Sequence, residues 1–331
     1  MRAASAMQSV SPRTEGTKER AMADDKYRLI TRSDFDGLVC AVLLKEIGLI
    51  DDIKFVHPKD MQDGTILVGD GDITTNLPYI RGVHLSFDHH LSETIRLDDI
   101  PENCIIDPKA PSAARVVFEH YGGGERFTNI SDVLMEAVDK SDSGQFDKNE
   151  ILKPEGWVLL NYLMDSRTGL GRFKDFRISN YHLMAQLIEY CPGNTVDQIL
   201  ALPDVKERVD LYMEHQEPFR EQIKRCASIE KNLSVLDLRG EEIIYAGNRF
   251  MIYALLPEIN ISMHVLWGLN KLNTVFAVGK SVLNRTSKTN TGLLMLEYGG
   301  GGHEAAGTCQ IENDEADAVL RELIDRITAD G

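Results

Sequence analysis

Residues 65–90 read TILVGDGDITTNLPYIRGVHLSFDHH, and this stretch indicates how the chain around it folds. It contains two apolar runs of strand length, 65–68 and 83–87, and acidic residues follow each run. The second run ends in Asp88-His89-His90, which places a carboxylate beside two imidazoles at a strand end. Carboxylate and neutral imidazole together suit Mn²⁺, Fe²⁺ or Zn²⁺. The stretch therefore predicts a divalent-metal cluster.

The segment before this stretch has the pattern of a parallel α/β unit. A strand over 27–31 leads into Asp34-Phe35-Asp36-Gly37, a helix follows over 38–47, and a second strand follows over 53–56. In parallel α/β sheets, ligand sites lie at the carboxyl ends of the strands. Asp34 and Asp36 can both face one cation at such an end, and helix capping by one of them is an equal alternative.

Later segments extend this architecture. We predict a strand over 104–107, helices over 111–120 and 132–138, and a mostly helical region over 151–232. Four strands are predicted near the C-terminus, over 233–238, 242–246, 261–268 and 274–280, followed by helices over 291–298 and about 314–328. The expected fold is α/β, with an N-terminal parallel-sheet α/β domain, a helical connector and a smaller C-terminal α/β domain. The predicted boundaries are a disordered tail over 1–25, then 26–150, 151–232 and 233–331.

The composition limits the partners. The chain of 331 residues is 43% hydrophobic and 27% charged, as in ordinary globular proteins, and its net charge of -16 argues against binding to long duplex nucleic acid. A short anionic substrate remains compatible with this charge, because bound metals invert the local field. No apolar run approaches the ~20 residues that a membrane helix needs. Five scattered cysteines fit a reducing compartment. We therefore expect a cytoplasmic protein without a membrane partner, and a homodimer is compatible with the sequence.

Two regions offer groups for an anion. Four glycines, Gly299–Gly302, precede His303, and such a run lets backbone amides approach an anion closely, although a flexible loop is the common alternative. Arg285 lies near the end of a preceding strand. The basic stretch 167–177 is either a solvated loop or a rim that contacts an anionic substrate.

Taken together, these motifs resemble those of the DHH phosphoesterase superfamily. Asp88-His89-His90 matches the signature that names the family, and Asp34-Phe35-Asp36-Gly37 looks like its first motif. Gly299–His303 looks like the motif of its associated C-terminal domain, and Ser141–Phe146 resembles its fourth motif. The resemblance covers 26–328, and within the family the chain is most similar to the bacterial exopolyphosphatase-related branch.

The resemblance implies a centre with two divalent ions, usually Mn²⁺, with Mg²⁺ or Co²⁺ as substitutes. The implied metal ligands are Asp34, Asp36, Asp72, His89 and Asp142, with Asp70 as the alternative to Asp72 and Asp139 as a weaker candidate. The implied catalytic residues are Asp88, His89 and His90. The implied substrate contacts are Arg32, His90, Arg285, Gly300, Gly301, Gly302 and His303.

One position departs from the family pattern. The first motif normally carries a histidine two or four residues before its first aspartate, where this chain has Arg32 and Ile30. A guanidinium has no lone pair for a cation. Either one metal is held more weakly, or Arg32 clamps the substrate phosphate, or the protein has lost its activity.

The resemblance implies a metal-dependent phosphohydrolase that cleaves phosphodiester or phosphoanhydride bonds by metal-activated water. Its expected substrates are small phosphorylated molecules, namely the ends of polyphosphate or short oligonucleotides. The alternative is a nucleotide- or phosphate-binding protein weakened at Arg32. A nucleotide substrate favours exposed aromatic side chains for base stacking, and the candidates are Tyr298, Phe173 and Phe176.

Overall fold

The computed structural model describes residues 26–97, 99–173 and 175–331, so the tail predicted over 1–25 lies outside the described residues. Two β-sheets organise this part of the chain, and the expected α/β fold class is confirmed. The first sheet has five parallel strands in the order β2-β1-β3-β4-β5. These strands are β1 (Tyr27–Arg32), β2 (Ile50–Val56), β3 (Asp72–Thr75), β4 (Leu85–Asp88) and β5 (Cys104–Ile106).

Helices cover this sheet and form the region after it. Helix α1 (Phe35–Glu46) is buried along most of its length, which explains why its apolar residues do not follow one face. The other helices up to residue 226 are α2 (Pro58–Gln62), α3 (Leu91–Arg96), α4 (Ala113–His120), α5 (Asp132–Asp142), α6 (Lys148–Leu152), α7 (Gly156–Met164), α8 (Asn180–Tyr190), α9 (Val196–Leu200) and α10 (Pro203–Cys226). No helix in the described ranges is both long enough and apolar enough to cross a bilayer.

The second sheet is mixed and has six strands in the order β10-β11-β9-β8-β7-β6. Strands β7 and β8 are parallel, and the other neighbours are antiparallel. Its elements are β6 (Ala227–Glu230), β7 (Leu233–Asp237), α11 (Met251–Leu255), β8 (Ile261–Trp267), β9 (Asn273–Lys280), α12 (Thr291–Glu297), β10 (Gly301–His303), β11 (Ala306–Glu312) and α13 (Ala316–Asp330). One face of this sheet has a hydrophobic core of its own with α12 and α13.

The third strand of the first sheet lies later in the chain than predicted. The apolar run 65–68 is not a strand: Leu67 is 85% exposed, while Ile66 and Val68 pack on a small cluster beside β1. The strand is the more polar segment Asp72–Thr75, which pairs with β1 and β4. Thr75 is tolerated in the interior because its Oγ1 donates to Thr31 Oγ1 at 2.7 Å. Asp72 is therefore the first residue of β3, whereas the predicted strand would have placed it in the loop that follows.

The segment 242–246 is not a strand either, because side chains of α10 satisfy its backbone. Gln222 Nε2 donates to the carbonyl of Ile243 at 2.7 Å, and Gln222 Oε1 accepts from the amide of Tyr245 at 3.1 Å. His215 Nδ1 accepts from the amide of Ala246 at 3.0 Å. Side-chain hydrogen bonds of this kind take the place of a strand partner.

Candidate metal centre

The carboxyl edge of the first sheet brings several of the predicted side chains together. Ligand atoms of Asp36, His89 and Asp142 all lie within 4.8 Å of one another. Ligand atoms of Asp88, His89 and His90 meet the same limit. Asp36 follows β1, the Asp88-His89-His90 segment ends β4, and Asp142 ends α5. Mixed carboxylate and imidazole groups at this spacing can hold a divalent cation.

Asp36 is a buried carboxylate at the centre of this cluster, with 2% of its surface exposed. It accepts the amides of Ala113 at 3.0 Å and Ala114 at 2.8 Å, which are the free donors at the start of α4. Burial, followed by the negative charge of Asp142, raises the pKa of Asp36 to about 8. A cation between these two carboxylates would remove that repulsion.

His89 presents one nitrogen to the acids. Its Nδ1 lies 3.1 Å from the carbonyl of Ala110, which can only accept, so Nδ1 carries a proton. Its Nε2 lies 2.9 Å from Asp142 Oδ2. Burial acts to lower the pKa of His89, but the hydrogen bond and charge of Asp142 and the charge of Asp36 outweigh it and raise the pKa to about 9. Without a cation, protonated His89 supplies the positive charge that the acids require.

Asp88 and His90 form a second pair beside the first. Asp88 Oδ1 accepts from the amide of His89 at 2.8 Å and lies 2.7 Å from His90 Nδ1. Asp88 Oδ2 is buried and has no hydrogen-bond partner among the described residues. A buried carboxylate oxygen without a donor is costly, which fits a site that receives a cation or another donor.

The second sheet closes over this pair through His303. The rings of His90 and His303 stack with their centroids 4.6 Å apart and an interplanar angle of 20°. Burial, aided by the charge of His90, lowers the pKa of His303 to about 4, so this ring is neutral at pH 7. The predicted substrate contact His303 is therefore brought to the predicted catalytic residue His90.

Asp34 both caps a helix and faces the cluster. Its Oδ1 accepts from the amide of Gly37 at 3.0 Å, and its Oδ2 pairs with Arg32 Nε at 2.9 Å. Asn76 Nδ2 also donates to Asp34 Oδ1, at 3.3 Å. Asn76 is 2% exposed and was not predicted, because the strand that delivers it ends at Thr75 rather than Val68.

Asp72 does not join the cluster. It pairs in register with Arg28 near the amino ends of β3 and β1, at the opposite edge of the sheet. Arg28 Nε donates to Asp72 Oδ1 at 2.8 Å, and the amide of Gly69 donates to Asp72 Oδ2 at 2.7 Å. The alternative Asp70 is exposed in the turn before β3. The misplaced strand explains this error.

Asp139, the weaker ligand candidate, pairs with Arg115 and holds two helices together. Arg115 Nη2 donates to Asp139 Oδ2 at 2.6 Å, and Ser112 Oγ donates to Asp139 Oδ1 at 2.7 Å. These contacts tie α5 to the start of α4, which also supports the amides that bind Asp36.

Two predicted substrate contacts have other partners. Arg285 donates from Nη2 to the carbonyl of Gly144 at 2.9 Å, so it links the loop after β9 to the loop after α5.

The amide of Gly300 donates to the carbonyl of Met295 at 2.9 Å. A Cβ on Gly300 would lie 2.0 Å from the carbonyl oxygen of Thr308, so close packing explains this glycine. Gly301 and Gly302 lie in the edge strand β10, next to His303.

Arg167 and Arg249 both lie next to a further acid, Asp165. Asp165 pairs with Arg167 at 2.7 Å and lies 3.7 Å from Arg249. Arg167 interacts electrostatically with Asp34 and Asp142, while Arg249 is repelled by Arg167 and Arg32. Burial and this repulsion lower the pKa of Arg249 to about 10. The basic stretch 167–177 thus contributes Arg167 to the site, whereas Arg249 was missed because no local motif surrounds it.

The predicted stacking aromatics are used in packing. Phe173 contacts the His215 ring edge-to-face at 4.6 Å, and the guanidinium of Arg208 lies over Phe176 at 4.1 Å. Tyr298 packs against the core of the second sheet.

Comparison with solved structures shows that the chain is similar to a known enzyme. The chain is 59% identical to the pGpG-specific phosphodiesterase PggH from Vibrio cholerae, with a TM-score of 0.78, covering 92% of this chain and 100% of that chain. RecJ from Thermus thermophilus in complex with Mn²⁺ shares the fold at 12% identity and a TM-score of 0.50, covering 94% of this chain and 53% of that chain. A scan of family models and a search of curated proteins gave no match.

Proposed function

Because the chain belongs to the DHH phosphoesterase family, as its 59% identity to the pGpG-specific phosphodiesterase shows, we propose that it hydrolyses phosphodiester bonds in short linear oligonucleotides. The observation that carries the proposal is this identity along all of that enzyme's chain. It favours a short oligonucleotide over polyphosphate. This identity to an enzyme gives no support to the alternative of a binding protein without activity.

The substrate we propose is a dinucleotide with a 5′-phosphate. Water attacks the internal phosphorus, the bond to the 3′-oxygen breaks, and the leaving oxygen takes a proton. One molecule of pGpG and one water then give two molecules of GMP. Of the two substrate classes left open by the sequence, this one matches the activity of the 59% identical pGpG-specific phosphodiesterase.

We assign the cation to Asp36, His89 and Asp142. Support comes from the spacing of their ligand atoms, the raised pKa of buried Asp36, and the His89 Nε2 that already faces Asp142. A divalent ion bound here would lower the pKa of a coordinated water and stabilise negative charge on the phosphoryl group. Mn²⁺ is the expected ion, by the mixed ligand set.

The arginines and the second sheet supply the remaining functions. Arg167 and Arg249 would neutralise the non-bridging oxygens of the substrate phosphate, since Arg167 acts on the charges of Asp34 and Asp142 and Arg249 lies 3.7 Å from Asp165, the partner of Arg167. Asp88 holds His90 Nδ1 and favours its protonated form, so we assign His90 as the group that gives a proton to the leaving oxygen. His303 would close the second sheet over the bound dinucleotide.

We also propose that the predicted boundaries mark functional parts. Residues 26–150 would hold the cation, 233–331 would cover the substrate, and 151–232 would connect them. The separate hydrophobic core of the second sheet supports this division. Contact through the rings of His90 and His303 supports closure between the two parts.

The test is a substrate panel with the purified full chain and Mn²⁺, in which GMP and phosphate are measured by chromatography. We expect GMP from pGpG and slower release from GpG, a tetranucleotide and a cyclic dinucleotide. Release of phosphate from polyphosphate or pyrophosphate without cleavage of pGpG would overturn the proposed substrate. Binding of pGpG without any turnover would overturn the enzyme assignment.

A further inference from the structure

We propose that the centre takes one divalent cation and that the guanidinium of Arg32 fills the position of a second. This inference builds on the proposed function, and it departs from the two ions that the family resemblance implies. It concerns two groups of side chains, one around Asp36 and one around Asp34.

The group around Asp36 is free to receive a cation. Asp36, His89 and Asp142 each have a ligand atom within 4.8 Å of the others, and two of the three are carboxylates. His89 Nε2 lies 2.9 Å from Asp142 Oδ2, so this ring nitrogen already faces a carboxylate of the group. A divalent cation would bind the neutral imidazole through Nε2, beside the two carboxylates.

The group around Asp34 is already satisfied. Asp34 Oδ2 pairs with Arg32 Nε at 2.9 Å, and Asp34 Oδ1 accepts from Gly37 at 3.0 Å and from Asn76 at 3.3 Å. A cation bound at Asp34 would have to break the Arg32 pair and would then lie beside a fixed positive charge. Two like charges so close in a protein cleft repel strongly.

Asn76 makes a second ion still less favourable. It stands at the carboxyl end of β3, between the strands that deliver Asp34 and Asp88. An amide is neutral, so it brings no negative charge to offset a cation. Its Nδ2 donates to Asp34 Oδ1 at 3.3 Å, and its buried Oδ1, which has no hydrogen-bond partner among the described residues, is a neutral oxygen that would not offset the charge of an ion beside Arg32.

The group formed by Asp88, His89 and His90 is the competing location for a second ion. Its His90 Nδ1 lies 2.7 Å from Asp88 Oδ1, so these two potential ligands satisfy each other. His89 Nε2 faces Asp142 and would serve the first ion. Of this group, Asp88 Oδ2 is then left without a partner among the described residues, and one oxygen cannot hold an ion alone.

Arg32 thus gives the site a permanent positive charge. Its Nε is fixed 2.9 Å from Asp34 Oδ2, and its charge acts on both Asp142 and His303. From there the guanidinium can stabilise one oxygen of the substrate phosphate by hydrogen bonds as well as by charge. The enzyme would need to load only one cation to become active.

The test counts bound ions without substrate, so it is independent of any activity. Chelator-treated protein is titrated with Mn²⁺, bound metal is counted by mass spectrometry, and electron paramagnetic resonance reports whether the ions are coupled. We expect one Mn²⁺ per chain and an uncoupled six-line spectrum. Two ions per chain with a coupled spectrum, or no tightly bound ion, would overturn the proposal.

Variants locate the ion. We expect Asp36→Asn to lose it and Arg32→Lys, which keeps the charge, to retain one ion. The double change Arg32→His with Asn76→Asp removes the guanidinium and adds an imidazole and a carboxylate, so we expect two ions. Circular dichroism confirms folding of each variant before counting. A double variant that is folded and still binds one ion would contradict the role given to Arg32.

Discussion

Replacement of Asp72 by asparagine separates a structural role from a metal-binding role. Asp72 is 5% exposed and accepts three hydrogen bonds, from Arg28 Nε at 2.8 Å, from Arg28 Nη2 at 3.1 Å and from the amide of Gly69 at 2.7 Å. Asparagine keeps the size and one carbonyl acceptor but removes the charge. The change should therefore weaken the contact between β1 and β3 without affecting the metal cluster at the other edge of the sheet.

The expected loss follows from these contacts. Buried hydrogen bonds to charged groups contribute about 1.5–3 kcal/mol, whereas exposed ion pairs contribute about 1 kcal/mol or less. The Arg28 side chain is 35% exposed, so water screens part of the interaction. We expect a loss of about 2 kcal/mol in the free energy of unfolding, and a fall in Tm of about 3 °C for a chain of this length.

The assay compares urea and thermal unfolding of wild type and Asp72→Asn, followed by Mn²⁺ counting and pGpG cleavage. Arg28→Met is the matched control, since it removes the partner and should destabilise by a similar amount. Metal content and kcat should be unchanged in both variants. Loss of the bound ion in Asp72→Asn, with stability retained, would refute the placement of Asp72 at the far edge.

Three further outcomes are expected. In metal-free protein, the folded pKa of Asp36 lies near 8 and that of His89 near 9, both above their unfolded values, so the folded state binds extra protons. Stability should fall as pH rises from about 4 to about 8 through Asp36 and from about 6.5 to about 9 through His89, and urea unfolding of Asp36→Asn should lack the first part. Arg249→Met should lower kcat/KM for pGpG by at least ~10²-fold with the fold intact, and unchanged kinetics would remove Arg249 from the phosphate site. His303→Ala should raise KM about 5-fold through loss of ring stacking while His303→Phe keeps most of the affinity, and equal KM values for the two variants would argue against closure by stacking.

The sequence allowed prediction of the parts of the site that depend on local order. Asp34, Asp36 and the Asp88-His89-His90 segment lie at the ends of strand-length segments that contain several apolar residues, so the carboxyl edge of a parallel sheet could be inferred. Asp142 could be placed at a helix end by its Ser and Gly neighbours. Each of these positions is fixed by a few adjacent residues.

Features that depend on distant pairing could not be predicted. The run 65–68 is more apolar than Asp72–Thr75, yet the latter is the strand because it fits between β1 and β4, and Thr75 bonds to Thr31 across the sheet. Because the strand lies later in the chain than predicted, Asp72 lies outside the site and Asn76 lies within it. Arg249 reaches Asp165 across more than eighty residues of sequence, and no short pattern indicates such a contact.

The most direct test of the central claim is cleavage of pGpG by the full chain at pH 7.5, with Mn²⁺ or with a chelator, measured as GMP over time beside Asp36→Asn. We expect two GMP per pGpG in the presence of Mn²⁺, no GMP with the chelator, and no GMP from Asp36→Asn. Intact pGpG in the wild-type reaction, or the same GMP release from Asp36→Asn, would contradict a metal-dependent phosphodiesterase centred on Asp36.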